Sequence, residues 1–398
     1  MIIKPKYRGF ICTTVHPLGC RKNVVDQIEF VRSKLKVEGP KRVLVIGSST
    51  GYGLAARISA AYGFSAKTIG VFFEKQATGQ KTGSAGWYNN EYFEAQANKD
   101  GLDAMHINGD AFSKDVKVQT IELIKSLMPD GKVDLVVYSL AAPKRTDPET
   151  GQVYNSVIKP IGDEFTGRTV DFHNGGVTDI AIAPATGDEI EDTVAVMGGR
   201  DWKLWINALN DAGALADGIV TMAFSYIGPS VTHAIYKDGT IGRGKTDLES
   251  ASKEIDMMLA EAGGKSYISI NKAVVTQASS AIPVVPLYIS LLFKVMKEKG
   301  IHENCIEQMY RLFSEKLYNG GEVITDGSGR LRMDDYEMRD DVQEDVSRLW
   351  DKVNSDNIYL ISDLTGFRDD FFKLFGFNRE DVDYDVDVNL EEVLPCRG

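Results

Sequence analysis

One stretch constrains this chain more than any other. Lys41-Arg-Val-Leu-Val-Ile-Gly47 is a β-branched apolar run, followed at once by Ser-Ser-Thr-Gly51-Tyr-Gly53 and a helical pattern over residues 54–62. A strand this apolar has no face for water, so helices must cover both of its sides. The pattern repeats downstream. Residues 67–73 form a second apolar run closed by Glu74, residues 102–107 lead into Gly109-Asp110-Ala111, and residues 133–138 lead into Ser139-Leu-Ala-Ala142. Helical periodicity lies between them, near residues 90–100 and 113–127. Strands alternating with helices of this length predict parallel βαβ units with right-handed crossovers, hence a Rossmann-type α/β fold with a doubly wound parallel sheet.

From residue 143 to 200 the periodicity fades into Gly-, Asp-, Thr- and Pro-rich sequence, too long for a plain connection. It reads as an insertion at the rim of a site. Regularity resumes with a helix at 201–212, a strand at 218–224, a helix beginning near Gly244 and a strand at 266–270, enough for six or more strands. Trp202 and Trp205, three apart, share one helix face and belong in the core. Beyond Lys294 the chain reads as additional C-terminal helices. After Asn378 an acidic run, with Asp381, Asp383, Asp385, Asp387, Glu391 and Glu392, reads as a solvated or loosely docked end. With no internal repeat, residues 1–398 read as one elaborated domain. Its parts are a cofactor-binding half at 41–142, the insertion at 143–200, a catalytic half at 201–300 and a helical part at 301–398.

Charge excludes some partners. Lys and Arg number 45 against 57 Asp and Glu, a net charge of −12, whereas nucleic acid calls for clustered basic residues. Cys12, Cys20, Cys305 and Cys396 match neither a zinc spacing nor a disulfide framework, and Cys12 and Cys20 read as reduced thiols. His302-Glu303 begins like a zinc-protease motif but lacks the second His at 306, so no metal is expected. No export segment is evident at the N-terminus, and a cytoplasmic protein is expected. Residues 273–293 carry no formal charge, yet Gln277, three serines, Pro283 and Pro286 interrupt them. They read as a buried or ligand-lining segment, not a transmembrane helix.

The spacing Gly47-x-x-x-Gly51-x-Gly53 lets a backbone approach a pyrophosphate at a helix N-terminus. Gly47, Ser48, Ser49, Thr50, Gly51 and Tyr52, with Phe73 and Glu74 closing the second strand, form the candidate dinucleotide site. A carboxylate at Glu74 accepts hydrogen bonds from ribose hydroxyls and repels a 2′-phosphate, favouring NADH over NADPH. Asp110, Ala111, Leu140 and Ala141 follow strands at the ends where such sheets bind ligands. Downstream, Tyr226 follows a strand, and Tyr236 stands nine positions before Lys245. A phenol needs a nearby ammonium to become a useful acid–base group at neutral pH.

The glycine spacing resembles that of short-chain dehydrogenases, but their Tyr-x3-Lys is absent, as is the Tyr-x6-Lys of the common bacterial enoyl reductases. Tyr236-x8-Lys245 resembles instead the FabV-type enoyl-acyl-carrier-protein reductases, whose relatives include trans-2-enoyl-CoA reductases. Met1-Ile-Ile-Lys-Pro, His16-Pro, Gly86-Trp-Tyr-Asn89, Val196-Met-Gly-Gly199, Ser225-Tyr-Ile-Gly228, Ile282-Pro-Val-Val-Pro-Leu-Tyr288 and His302-Glu-Asn-Cys-Ile-Glu-Gln308 carry the resemblance along the whole chain. It implies NADH-dependent reduction of the trans-2,3 double bond of an enoyl thioester, the last step of a fatty-acid elongation cycle. By resemblance Tyr236 is the proton donor, Tyr226 a substrate-contacting phenol, and Lys245 the holder of the nicotinamide ribose that also favours proton release from Tyr236. Val274, Val275 and Thr276 become further cofactor contacts, residues 282–293 line an acyl channel, and a monomer is expected.

Two other readings stay open at this stage: a dinucleotide-sensing module without turnover, and a reductase of another carbonyl substrate. Acyl carrier protein and CoA are both anionic, so an acidic protein needs a local basic patch to attract them. Lys294, Lys297 and Lys299 are the expected patch.

Overall fold

The computed structural model describes residues 1–390, 393 and 394, so Glu391, Glu392 and Cys396 lie outside the described residues. Helix α1 (Pro17–Arg32) precedes the first strand of the main sheet, β1 (Arg42–Ile46). There follow α2 (Gly51–Phe64), β2 (Lys67–Phe72), α3 (Ala85–Lys99), β3 (Ala104–Asn108), α4 (Lys114–Leu127) and β4 (Val133–Tyr138). After the insertion come α5 (Gly187–Met197), α6 (Arg200–Asp211), β5 (Leu215–Ser225), α7 (Thr240–Leu259), β6 (Lys265–Ile270), α8 (Val285–Glu298) and β7 (Arg330–Arg332). The seven strands order as β7-β6-β5-β4-β1-β2-β3, all parallel. Strand order reverses between β1 and β4, which opens a crevice at their carboxyl ends.

Successive residues of β1 show why the sheet is doubly wound. Val43 and Val45 belong to the core under α1, α2 and α3, whereas Leu44 and Ile46 belong to the core under α4, α6 and α7. All four are fully buried. The predicted Trp202 and Trp205 are also fully buried, with their indole N–H groups donating to Thr221 Oγ1 at 3.0 Å and the Ala111 carbonyl at 3.1 Å.

Several boundaries differ from expectation, each for a local reason. Helix α3 begins at Ala85, five residues before the predicted 90, where Ser84 holds the extended N-cap position with its hydroxyl bonded to the Lys75 backbone. Strand β5 starts at Leu215, because Gly218, at φ 72°, makes a bulge after which the pairing with β4 resumes. Helix α7 starts at Thr240 and so holds Lys245 in its second turn.

The insertion forms two hairpins, Lys144–Thr146 with Val153–Asn155 and Phe165–Asp171 with Gly176–Ile182, and then α5. Its Lys159 carbonyl accepts from Thr240 N at 3.0 Å, which ties it to the start of α7. The uncharged segment becomes a buried loop, a short helix at Gln277–Ser280 and the buried α8. Among the described residues no helix is long and apolar enough to cross a membrane.

Up to Leu390 the acidic end is docked through its apolar residues, while Asp381, Asp383, Asp385 and Asp387 stay exposed to solvent. Val388 N donates to the Met1 carbonyl at 3.0 Å, Val388 and Leu390 are buried, and Asp385 and Asp387 pair with Lys4 and the N-terminal amine.

Candidate active site

The glycine turn sits at the switch point of the sheet. Gly47, at φ 91°, presses so close to β4 that a Cβ there would stand 2.0 Å from the Ser139 carbonyl oxygen. A Cβ on Gly53 would stand 2.0 Å from the Gly47 carbonyl, so α2 packs directly against the turn. A Cβ on Gly51, at φ 54°, would stand 3.5 Å from the Thr276 methyl. The Thr50 side chain makes no capping bond, which leaves the first N–H groups of α2 for an anion. These features fit a pyrophosphate lying between the turn and Thr276.

Not every predicted contact offers its side chain to that cleft. Ser48 is fully buried and donates inward to Asn90 Oδ1 at 3.1 Å. Tyr52 turns away to donate to the Lys272 carbonyl at 2.5 Å. Asp110 caps its own turn, accepting from Phe112 N at 3.0 Å, and the buried Ala111 gives its carbonyl to Lys117 Nζ at 2.9 Å. Phe73 is 75% exposed at the end of β2, and Leu140 and Ala141 follow the end of β4. Residues that the sequence reading missed hold the turn. Asn90 Nδ2 donates to the carbonyls of Ser48 at 3.0 Å and Gly86 at 2.8 Å, and the buried Arg57 donates to Asn90 Oδ1 at 3.0 Å.

Glu74 lies over the start of α3. Burial raises its carboxyl above the usual range, while the Ser84 and Ser49 hydroxyls favour the charged form. The carboxylate is thus backed by two hydroxyls at the end of β2.

The tyrosines gather at the same rim. Ser225 pairs with Ile270 in the β5–β6 register, which sets Tyr226 beside the loop after β6. The rings of Tyr226 and Tyr236 meet edge-on, centroids 5.1 Å apart. Tyr226 donates to Glu337 Oε1 at 2.9 Å, and Tyr288 donates to the same oxygen at 2.7 Å. Tyr236 has no hydrogen-bond partner for its hydroxyl among the described residues. Burial alone raises its pKa, so the phenol stays protonated through neutral pH. Lys245, lowered to about 8 by burial, donates to the Phe224 carbonyl at 3.1 Å. No charge offsets the burial of Tyr236, so its phenol is a neutral hydrogen-bond donor.

The loop between β6 and α8 is held at each end of its first residues. Lys272 N donates to Gln308 Oε1 at 2.9 Å, Ala273 N donates to Glu337 Oε2 at 2.6 Å, and Lys272 Nζ donates to the Ala273 carbonyl at 2.8 Å. Val274 and Val275 are buried beyond it, and Thr276 caps the next short helix.

The expected basic patch is not one. Lys294 pairs with Glu298, Lys297 with Asp363, and Lys299 with both Asp341 and Asp345, so carboxylates neutralise all three.

Comparison with known proteins places this site in a class. The catalytic region of trans-2-enoyl-CoA reductases matches residues 81–318, and the NAD(P)H binding domain of the same enzymes matches residues 2–79. The chain belongs to the trans-2-enoyl-CoA and enoyl-acyl-carrier-protein reductase family, enzymes that reduce enoyl thioesters with NADH. An enoyl-[acyl-carrier-protein] reductase [NADH] of Flavobacterium psychrophilum is 58% identical over 389 residues, 98% of each chain. A trans-2-enoyl-CoA reductase [NADH] of Ruminiclostridium cellulolyticum is 57% identical over 391 residues, again 98% of each. The crystal structure of the Clostridium acetobutulicum trans-2-enoyl-CoA reductase in complex with NADH superposes with a TM-score of 0.95 at 46% identity, covering 98% of each chain.

A third match, to an enoyl reductase FAD binding domain, covers residues 325–388. The residues there do not fit a flavin. Leu331, Met333, Val342, Val346, Phe367 and Phe371, each at most 2% exposed, fill the interior. Asp340, Asp341, Glu344 and Asp345 stand at its surface, and the donors a pyrophosphate needs are spent, since Arg330, Arg332, Arg339 and Arg348 each pair with a carboxylate.

Proposed function

We infer that Tyr236 protonates the substrate, Tyr226 lines its reacting end and Lys245 holds the nicotinamide ribose, in the NADH-dependent reduction of a trans-2-enoyl thioester. The observation that carries this reading is the convergence of the two edge-packed phenols, the buried ammonium and the glycine turn at one rim of the sheet. When bound, NADH supplies the hydride that adds to the β-carbon. Negative charge then moves to the thioester oxygen, where the protonated and uncommitted hydroxyl of Tyr236 is suited to donate a hydrogen bond. The same residue gives its proton to the α-carbon, completing a saturated thioester. Lys245 spends one of its three N–H donors on Phe224 and has two for ribose hydroxyls.

The thioester carrier is acyl carrier protein, CoA or both, since similar relatives include both enoyl-[acyl-carrier-protein] and trans-2-enoyl-CoA reductases. A cytoplasmic setting accords with Cys12, Cys20 and Cys305 being free thiols. A monomer accords with the scatter of exposed large apolar residues such as Leu35, Met257 and Leu360 over separate helices and turns. The test is the loss of 340 nm absorbance when purified protein, NADH and a trans-2-enoyl thioester are mixed, with NADPH in parallel. Loss with NADH alone is expected. No loss with either cofactor, given measured NADH binding, would return the protein to a sensing role, and consumption only with ketones would make it a different reductase.

A further inference from the structure

Glu337 is fully buried at the heart of the molecule, in the part of the chain that does not fit a flavin. Three donors converge on its carboxylate: the phenols of Tyr226 at 2.9 Å and Tyr288 at 2.7 Å on one oxygen, and Ala273 N at 2.6 Å on the other. A buried carboxylate with three donors is held in one orientation, since letting go of any of them leaves an uncompensated polar group. The buried Lys272, whose ammonium is fixed on the Ala273 carbonyl, supplies opposite charge nearby. Gln343 locks the far side, donating to the Tyr288 hydroxyl at 3.2 Å and to the Glu337 carbonyl at 2.7 Å.

Each partner of Glu337 leads to the site. Tyr226 packs edge-on against Tyr236, and Ala273 directly precedes Val274, Val275 and Thr276. The phenol of Tyr226 has one hydrogen, and Glu337 takes it. That commitment fixes the Tyr226 ring, and with it one wall against which the Tyr236 ring is set. It also leaves Tyr236 as the phenol of the pair free to donate to substrate.

We propose that Glu337 is a positioning residue for the reduction, acting through Tyr226, and that residues 325–388 serve the site by delivering this carboxylate. The inference rests on the reading of Tyr226 and Tyr236 given above. It separates Glu337 from an ordinary buried acid. The carboxylate must present two acceptor oxygens to donors from two sides, and an amide offers one acceptor and an N–H that opposes a donor.

The test is a double-mutant cycle on the full-length protein with crotonyl-CoA and NADH. Wild type, Glu337→Gln, Tyr226→Phe and the double variant are compared for kcat and KM, after circular dichroism and NADH fluorescence titration confirm folding and cofactor binding. Glu337→Gln is expected to lower kcat about tenfold or more while the protein still binds NADH, and the double variant is expected to be no worse than the poorer single variant. Wild-type kcat in Glu337→Gln, or a double variant whose loss is the product of the two single losses, overturns the proposal. Should Glu337→Gln not fold, Glu337→Asp enters the cycle in its place, keeping the charge but withdrawing the carboxylate, and multiplicative losses there overturn it equally. Failure of the underlying reading looks different: Tyr226→Phe or Tyr236→Phe then keeps wild-type kcat, whatever Glu337→Gln does.

Discussion

The carboxylate of Glu74 occupies the space that a side chain on Gly86 would need. A Cβ at Gly86 would stand 2.4 Å from Glu74 Oε1 and 2.8 Å from Ser49 Cβ. The first turn of α3 therefore makes room for the acid that closes β2, and Asn108 fixes the backbone of that acid through paired bonds of 2.9 Å to Glu74 N and the Glu74 carbonyl.

Gly86→Ala should push Glu74 from its seat without unfolding α3, since alanine favours helix. Overpacking of this kind costs about 1–3 kcal/mol; felt wholly as lost cofactor affinity, that is roughly 5- to 150-fold. The expected result is a higher Kd for NADH by fluorescence titration, with the preference over NADPH reduced. An unchanged Kd would mean that Glu74 does not touch the cofactor.

Tyr236→Phe removes one hydroxyl with no protein partner, so folding and NADH binding should survive. Loss of a general acid lowers turnover roughly 10²- to 10⁴-fold. The check is kcat with crotonyl-CoA beside NADH titration of the same preparation; near-normal kcat would move the proton donor elsewhere.

The pH dependence should come from lysine, not from tyrosine. Burial lowers Lys245 from 10.5 to about 8 and Lys272 likewise to about 8, whereas burial keeps Tyr236 protonated. As pH rises through about 8, Lys245 loses its charge, and if it holds the ribose as proposed, kcat/KM for NADH should decline there. Its contribution to stability runs the other way. The folded state disfavours the ammonium, so a penalty present below pH 8 is relieved between 8 and 10.5. Falling activity with a steady or rising Tm over that window is the expected pair of results, and a flat activity profile to pH 10 would count against Lys245.

Much of this was legible in the sequence, because its strands carry their signature without help. Val43-Leu-Val-Ile46 is apolar on both faces and can only be central, and the spacing from Tyr236 to Lys245 survives folding because one tight turn and the start of α7 contain both. Strand β7 was not legible: Arg330-Leu-Arg332 shows a single apolar residue between two charges. Glu337 carries no local pattern either, since it reaches Tyr226 only through the path of the whole chain. The basic patch failed for the same reason in reverse. Lys297 and Lys299 look free in sequence, but their carboxylate partners come from Asp363, Asp341 and Asp345, on other elements.

Acid should unfold the protein through its histidines. His16 caps α1, accepting from Gly19 N at 3.4 Å through Nδ1, and lies fully buried against Phe377 and Tyr384 near the docked C-terminal end. Burial first, and then the charge of Lys4, lowers it from 6.5 to about 4. His302 is lowered to about 3, chiefly by burial. Between pH 6.5 and these values the unfolded chain binds protons that the folded chain refuses, so stability present above 6.5 is lost as pH falls through 4. His106 opposes this. Burial disfavours its charge, but Glu91 and Glu94 outweigh burial and raise it, so its stabilisation is greatest in acid. The buried carboxyls that burial raises, among them Glu303 and Glu337, oppose it too, so the part His16 and His302 contribute is a decline in Tm between pH 6.5 and 4.5. His16→Asn keeps an N-cap acceptor while removing the proton site, so it should flatten that decline measurably. A decline as steep as wild type would mean that His16 is not among the groups that set acid stability.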